Sequence, residues 1–303
     1  MMNSYDNQAD TRRPLPTRLR IQQAVALPPL PRRSQDLLQL LSDPQLNILA
    51  LVEVIEQTPA LAARILGVAN SAFFRSTVPV RSLSDAVMRI LGLNLVRDLS
   101  LSLILSQPFD VCRCRGFEPM RYWRHAVMTA VLAEMLAAVT TLPGEHTPSD
   151  AYLGGLLHSL GLLALVHVDP DGMSQVFAQS ASRPELALSD IECEWFGFDH
   201  TTAGADIAFA WGLPDQVAAA MTHHRDPNCR GRYWPLVALV ALAERASQTR
   251  LAGDAFAPDV ADPPELLDLL GITPEVWQRV VKGWEARLAR IDGLAGVLAG
   301  AAP

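Results

Sequence analysis

Six of the seven histidines carry most of the chemistry that this sequence could perform. They lie in or at the ends of predicted helices: His125, His158, His167, His200, His223 and His224. Neutral imidazole is a ligand for zinc, iron and nickel, so histidines on helices that face one core can form a transition-metal site. Two-metal phosphate hydrolysis also needs carboxylates that bridge the ions and orient a hydroxide. The chemistry therefore depends on which acids accompany these histidines.

The stretch 154–161, Gly-Gly-Leu-Leu-His-Ser-Leu-Gly, places two polar side chains inside an apolar run. The run from Ala151 to Val168 contains no formally charged residue, and a buried imidazole must be hydrogen bonded or bound to a ligand. The residue after His158 is Ser159, whose neutral hydroxyl supplies neither negative charge nor bridging oxygens. The run just reaches membrane-spanning length. Its three glycines, two histidines and acidic flanks favour a buried core helix instead.

Helix-capping signals predict an all-α fold. Pairs of a capping side chain with a following proline or acid recur along the chain, and no segment shows a convincing strand pattern. The predicted N-caps are Ser34, Thr58, Ser82, Thr147, Ser189, Asp199 and Thr273. We divide the chain into an arginine-rich tail (1–26), an N-terminal helical bundle (27–110), a second helical domain (111–250), and a linker with an amphipathic helix (251–303).

The composition narrows the classes of partner. The chain has 303 residues, half of them hydrophobic, and a net charge of −7, which argues against a surface that tracks nucleic-acid phosphates. The arginines of the tail leave two interpretations open, a flexible tail or a nucleic-acid-binding arm. The polar N-terminus lacks the apolar core of a signal peptide, and the four cysteines have no zinc-knuckle spacing. We predict a cytoplasmic protein that does not bind membranes.

Several motifs, in their order along the chain, resemble the HDOD family, which carries a degenerate version of the HD phosphohydrolase core. The resemblance covers about residues 27–250. It is carried by Leu-Pro-Pro-Leu-Pro at 27–31, Ala-Asn-Ser-Ala-Phe-Phe at 69–74, the segment 82–99, Trp-Arg-His at 123–125, the motif around His158, Trp-Gly-Leu-Pro at 211–214, and His223-His224. It implies an N-terminal helical bundle followed by a degenerate HD-like helical domain.

The resemblance implies a role for each residue that matches an HD motif. His158 matches the histidine of the His-Asp pair, and Ser159 replaces its aspartate. The outlying ligands match His125, His200 and either His223 or His224, while Glu244 falls where a late aspartate would lie. We therefore expect a vestigial pocket without catalysis and without a cofactor. If one metal ion is held weakly, the expected ligands are His125, His158, His200 and His223.

The resemblance also implies a function in bacterial signalling, in stress, motility or cyclic-dinucleotide-linked regulation. We expect a regulatory protein that acts through signalling proteins in separate chains or through a small ligand. A residual metal-dependent phosphohydrolase and a nucleic-acid-binding regulator are the alternatives. The histidines could also be purely structural, since His223 and His224 suit a helix C-terminus.

Two surfaces are candidates for partner contact. Asn70 and Ser71 follow a predicted helix, where capping is the simpler explanation of their side chains. Trp277 and Trp284 lie seven residues apart on the last amphipathic helix, so this face could pack on the body of the protein or on a second copy of the chain.

Overall fold

The computed structural model describes residues 30–300, except 42, 44, 72–73, 75–79, 143, 145 and 254–263. The predicted tail, 1–26, and most of the predicted linker after residue 252 lie outside the described residues. Within the described part of the chain all regular elements are helical, as the sequence predicts.

The first helices form the N-terminal bundle. They are α1 (Arg32–Leu41), α2 (Ile48–Glu56), α3 (Pro59–Ala69), α4 (Leu83–Asp85, which continues as a π-helical segment Ala86–Leu91) and α5 (Leu93–Ser106). Ser82 caps α4 as predicted, since its side chain accepts a hydrogen bond from the backbone N–H of Asp85. The prediction for Ser34 was wrong: the backbone N–H of Gln35 already bonds to the carbonyl of Pro31, so α1 begins two residues before Ser34. Thr58 precedes α3, but its side chain makes no capping hydrogen bond.

The second block contains the central helices. They are α6 (Pro119–Ala137), α7 (Pro148–Leu157), α8 (Leu160–Val168), α9 (Pro170–Ser182), α10 (Leu188–Phe196), α11 (His200–Trp211), α12 (Asp215–His223) and α13 (Trp234–Ala252). Thr147 and Asp150 form the predicted capping box at α7, and the Asp199 carboxylate caps α11. The prediction for Ser189 was wrong, because α10 begins at Leu188 and Ser189 lies within it. Helix α6 packs against α7 and α13, while α8 packs against α11. This arrangement brings α6, α7, α8, α11 and α13 around one core.

The sequence interpretation implied that the apolar run forms one continuous helix, but the structure divides it between α7 and α8. It breaks at His158 and Ser159, where Ser159 leaves helical geometry with φ −100° and ψ 16°. The glycines on either side explain the position of the break. A Cβ on Gly155 would lie 2.7 Å from Cα of Ala130 on α6, and one on Gly161 would lie 2.0 Å from the carbonyl oxygen of His200 on α11. The two halves therefore press against different helices.

Residues 148–168 include the one stretch of the described chain that is long and apolar enough to cross a membrane. Of its most apolar window, 83% is buried within the protein. Core helices of soluble proteins satisfy the same criteria of length and hydropathy, and this stretch packs against helices on several sides.

The C-terminal part adds α14 (Pro264–Leu269), α15 (Pro274–Glu285) and α16 (Leu288–Leu298). Thr273 caps α15 as predicted, whereas α16 was not predicted. Trp277 and Trp284 are 1% and 0% exposed, and the indole N–H of Trp284 donates to the carbonyl of Met128 on α6 at 3.1 Å. Of the two alternatives for this face, the structure shows packing on the body of the protein, so these tryptophans do not form a surface for a partner.

At the second candidate surface, the contacts agree with the simpler, structural explanation of Asn70 and Ser71. Ser71 is buried, and its hydroxyl donates to the carbonyl of Val68 at 2.7 Å. Asn70 is exposed, but its amide bonds to the backbone of Val80 in both directions, at 2.7 and 2.8 Å. These contacts tie the end of α3 to the chain before α4, so both side chains have a local structural role.

Candidate functional site

Four of the predicted histidines meet in the second block, and we call His125, His158, His200 and His224 the histidine cluster. The ring centroid of His158 lies 5.1 Å from that of His125 and 4.9 Å from that of His224, and His200 lies 6.1 Å from His224. The sequence prediction that these residues share a pocket thus agrees with their placement. His167 lies outside the cluster and accepts a hydrogen bond from the backbone N–H of Asp110 at 2.9 Å.

Hydrogen bonds at Nδ1 fix the tautomers of the buried imidazoles. Nδ1 of His158 bonds to the carbonyl of Gly155 at 2.7 Å, and Nδ1 of His224 bonds to the carbonyl of Ala220 at 2.9 Å. A carbonyl only accepts, so Nδ1 carries the proton and Nε2 carries a lone pair. In the described part of the chain, the Nε2 atoms of His125, His158 and His224 are buried and lack hydrogen-bond partners.

Burial keeps three of these imidazoles neutral. It lowers the pKa of His125 to about 4 and that of His224 to about 3. Burial, reinforced by the neighbouring imidazoles, also lowers the pKa of His158 well below its ordinary value. The three rings therefore offer neutral nitrogen donors at physiological pH.

His200 differs because it has a carboxylate partner. Its Nδ1 lies 2.6 Å from Oε2 of Glu192, and the same oxygen accepts the backbone N–H of His200 at 2.8 Å. Burial lowers the pKa of His200, but the Glu192 carboxylate outweighs this effect and the net shift is upward. Glu192 is fully buried. The sequence analysis missed this residue, because eight residues and a helix boundary separate it from His200.

Glu244 on α13 supplies a carboxylate at the cluster. One ligand atom each from His125, His158 and Glu244 lies within 4.8 Å of the others. The carboxylate accepts hydrogen bonds from the guanidinium of Arg225, at 3.1 Å, and from the amide of Gln248. Burial raises the pKa of Glu244, and the charge of Arg225 offsets part of that shift. Arg225 thus occupies one side of the Glu244 carboxylate, and a metal ion would require that same carboxylate as a ligand.

The family profile of the HDOD domain matches residues 27–227 of this chain. The chain belongs to the HDOD family. The match begins at the Leu-Pro-Pro-Leu-Pro motif and ends just after His224, so it contains the whole histidine cluster. The resemblance inferred from the sequence motifs is therefore confirmed.

Relatives of this HDOD chain include proteins of known structure. A candidate signal transduction protein from Marinobacter aquaeolei VT8 shares 27% identity and a TM-score of 0.81, over 96% of this chain and 63% of that one. An HDOD domain protein with unknown function from Geobacter sulfurreducens shares the fold, at 22% identity and a TM-score of 0.73, over 93% of this chain and 98% of that one. A Treponema pallidum (strain Nichols) protein is 28% identical over 72% of this chain.

This chain corresponds to only part of the length of two of these relatives. The chain spans 41% of the Treponema protein and 63% of the Marinobacter protein. A candidate phosphohydrolase from Shewanella amazonensis SB2B has the same fold, with a TM-score of 0.73 at 22% identity. The HDOD fold is therefore shared by proteins named for signalling and by proteins named for phosphate hydrolysis.

Within the HDOD chain, the structure separates His224 from His223. His224 is 1% exposed and faces the cluster, whereas His223 is exposed and lines a surface pocket. Successive helical residues point about 100° apart, so only one of two adjacent side chains can face the same core. The choice of His223 as a metal ligand was therefore wrong, and His224 is the residue of the pair that faces the cluster. Ser159 is 4% exposed beside the cluster, near the phenol of Tyr122.

The donors present fit a single transition-metal ion. Unpartnered Nε2 atoms together with one carboxylate match the ligand types that such ions prefer. The bonds from Nδ1 to backbone carbonyls also match the usual support of a metal-binding imidazole. A bound ion would draw on His125, His158 and Glu244, whose ligand atoms converge. His200, which was also expected as a ligand, does not belong to that group.

Proposed function

We propose that this chain is a non-catalytic regulatory HDOD protein that acts through protein partners or a bound ligand. The single observation that supports this most is the acid content of the cluster. At the position after His158 stands the neutral hydroxyl of Ser159, and the carboxylate of Glu244 is paired with Arg225. The cytoplasm is the compartment that we propose for this activity, with signalling proteins in separate chains as partners.

The electrostatics of the cluster argue against two-metal hydrolysis. Two divalent ions that lie about 3.5–4 Å apart need bridging anionic ligands to offset their mutual repulsion. Here the three imidazoles with lowered pKa values are neutral, and the carboxylate of Glu192 is engaged by His200. The Arg225 guanidinium adds a positive charge beside Glu244. The site therefore lacks the negative charge that a pair of metal ions requires.

A residual metal-dependent phosphohydrolase is the second candidate, and the unpartnered Nε2 atoms favour it. A single bound ion would act as a Lewis acid on a phosphate oxygen. His158 and His224 would hold their orientation through Gly155 and Ala220, and Arg225 would compete with the ion for Glu244. We infer that any such ion is held weakly.

Affinity capture of the full chain from its native host tests the proposal, with metal content measured on the same sample. We expect a protein partner in stoichiometric amount and less than about a tenth of an equivalent of transition metal. The same capture with an Arg225→Gln variant is the informative comparison, because removal of the guanidinium frees Glu244 and should raise metal content. A full equivalent of metal in the wild-type chain, without a partner, would favour the hydrolase.

A further inference from the structure

A second cavity lies outside the histidine cluster, and we call it the α16 cavity. It has a volume of about 1020 Å³ and lies between α5, α6, α7 and α16. No histidine of the cluster lines it. Pockets for small molecules are usually about 300–1,000 Å³, so this cavity is large enough for a metabolite with room for water.

The inner wall of the cavity is polar and buried. Asp98 is 1% exposed; its carboxylate lies 3.1 Å from Nε of Arg97 and 3.4 Å from the hydroxyl of Ser149. Tyr152 is 5% exposed, and its hydroxyl is buried with no hydrogen-bond partner in the described part of the chain. Buried hydroxyls without partners are uncommon because each one costs stability. The Tyr152 hydroxyl is thus a group that a ligand could satisfy.

Acidic groups share this inner space with Tyr152. Burial raises the pKa of Asp98 to about 7, although the Arg97 guanidinium acts in the opposite direction. Burial also raises the pKa of Glu134, and the charge of Arg287 offsets part of that shift. Burial first, and then the charges of these two carboxylates, raise the pKa of Tyr152. The phenol therefore lies close enough to both carboxylates to respond to their charge.

The mouth of the cavity carries the opposite charge. Arg287, which directly precedes α16, and Arg290, in its first turn, are exposed and line the same cavity. Apolar side chains also line the cavity, among them Val127 and Val131 from α6 and Ile291 from α16. Arginine binds carboxylate and phosphate groups through paired N–H donors. The cavity thus combines a buried carboxylate at Asp98, exposed arginines and apolar side chains.

The wall also contains the π-helical segment. Its last residue, Leu91, and the following Gly92, with φ 83°, both line the cavity. A π-helical turn interrupts regular helix geometry and occurs often at functional sites. This departure from α geometry is an observation independent of the charges, and it lies at the same cavity.

We propose that the α16 cavity binds a small zwitterionic molecule with an apolar body. Its amine or amidine end would lie against Asp98 and Tyr152, and its carboxylate or phosphate end would lie at Arg287 and Arg290. The cavity is separate from the histidine cluster, so this inference stands whether or not the cluster is catalytic.

Calorimetric titration of the full chain with a matched set of probes tests this assignment. The probes share a para-substituted phenylpropyl scaffold: one carries an aminomethyl group and a carboxylate, a second carries a phosphonate in place of the carboxylate, and two others lack either the amine or the acid. We expect the doubly charged probes to bind at least about tenfold more tightly than either singly charged probe. The carboxylate and phosphonate probes distinguish the two kinds of anion.

Two variants and a control locate the binding. Tyr152→Phe keeps the ring and the fold, and Arg290→Gln alters an exposed side chain, so circular dichroism should match that of the wild type. Each should weaken the zwitterions by at least about threefold, whereas Arg279→Gln, on the exposed face of α15, should leave affinity unchanged. The assignment is overturned if the zwitterions do not bind, bind no more tightly than the singly charged probes, or bind both variants as well as the wild type.

Discussion

The buried neutral histidines should make the folded chain sensitive to acid, and His224 offers the clearest test. Burial lowers its pKa from 6.5 to about 3 in the folded chain. Between these values the unfolded chain binds a proton at this position and the folded chain does not. Because the folded-state pKa lies below the unfolded one, the free energy of unfolding has its full value above about pH 6.5 and decreases progressively as the pH falls.

The size of the effect follows from the two pKa values. At about pH 5 the imidazole is mostly protonated in the unfolded chain and mostly neutral in the folded chain, which costs the folded state about 2 kcal/mol. At about pH 8 both states are neutral, and the same linkage contributes almost nothing. His224 alone therefore accounts for a change of about 2 kcal/mol in the free energy of unfolding.

Denaturant unfolding of the wild type and of His224→Gln at both pH values, with a chelator present, measures this change. The variant should be less stable at about pH 8, because it loses the Nδ1 hydrogen bond to Ala220. At about pH 5, the free energy of unfolding of the variant relative to the wild type should be about 2 kcal/mol higher than it is at about pH 8. His223→Gln is the matched control, since that neighbouring side chain is exposed, and its pH profile should follow the wild type. An unchanged difference between His224→Gln and the wild type at the two pH values would refute the reasoning.

Three further perturbations test the packing and the cluster. Gly155→Ala should destabilise the chain by about 1–3 kcal/mol because its Cβ meets the backbone of Ala130 at 2.7 Å, whereas Gly296→Ala, with nothing within 4 Å, should be neutral or stabilising in thermal unfolding. Trp284→Phe should lower stability by about 1–3 kcal/mol through the lost bond to Met128, while Trp195→Phe, at a 41% exposed site, should change it little; equal losses would contradict the docking of α15. Ser159→Asp should strengthen Mn²⁺ or Zn²⁺ binding by at least about tenfold in a calorimetric titration, and the surface variant Ser182→Asp should not; no gain would mean that the pocket is closed to metal.

Much of the helical framework could be predicted from local signals. The caps at Ser82, Thr147, Asp199 and Thr273 are confirmed, because a side chain that bonds to a backbone N–H two or three residues later needs no tertiary contact. The break at His158 and Ser159 was not predictable from this local pattern. It depends on Gly155 and Gly161 pressing against two different helices.

Part of the site could also be predicted from local sequence motifs. Sequence motifs brought His125, His158, His200 and Glu244 into one pocket, but a local pattern could not choose between His223 and His224, since that choice depends on how α12 is rotated. Arg225 and Glu192 were missed because their roles come from long-range contacts with Glu244 and His200. The tryptophan spacing on α15 indicated an apolar face, and only the packed structure shows that α6 covers the Trp284 side chain.

The central claim is that this histidine cluster, without an aspartate after His158, does not drive metal-dependent phosphate hydrolysis. Hydrolysis of bis(p-nitrophenyl) phosphate by purified full-length protein, with added Mn²⁺ or Fe²⁺ and with a chelator, tests it directly. We expect the rate with metal to equal that of a His158→Ala variant. Metal-dependent turnover that exceeds this variant and disappears with the chelator would contradict the account.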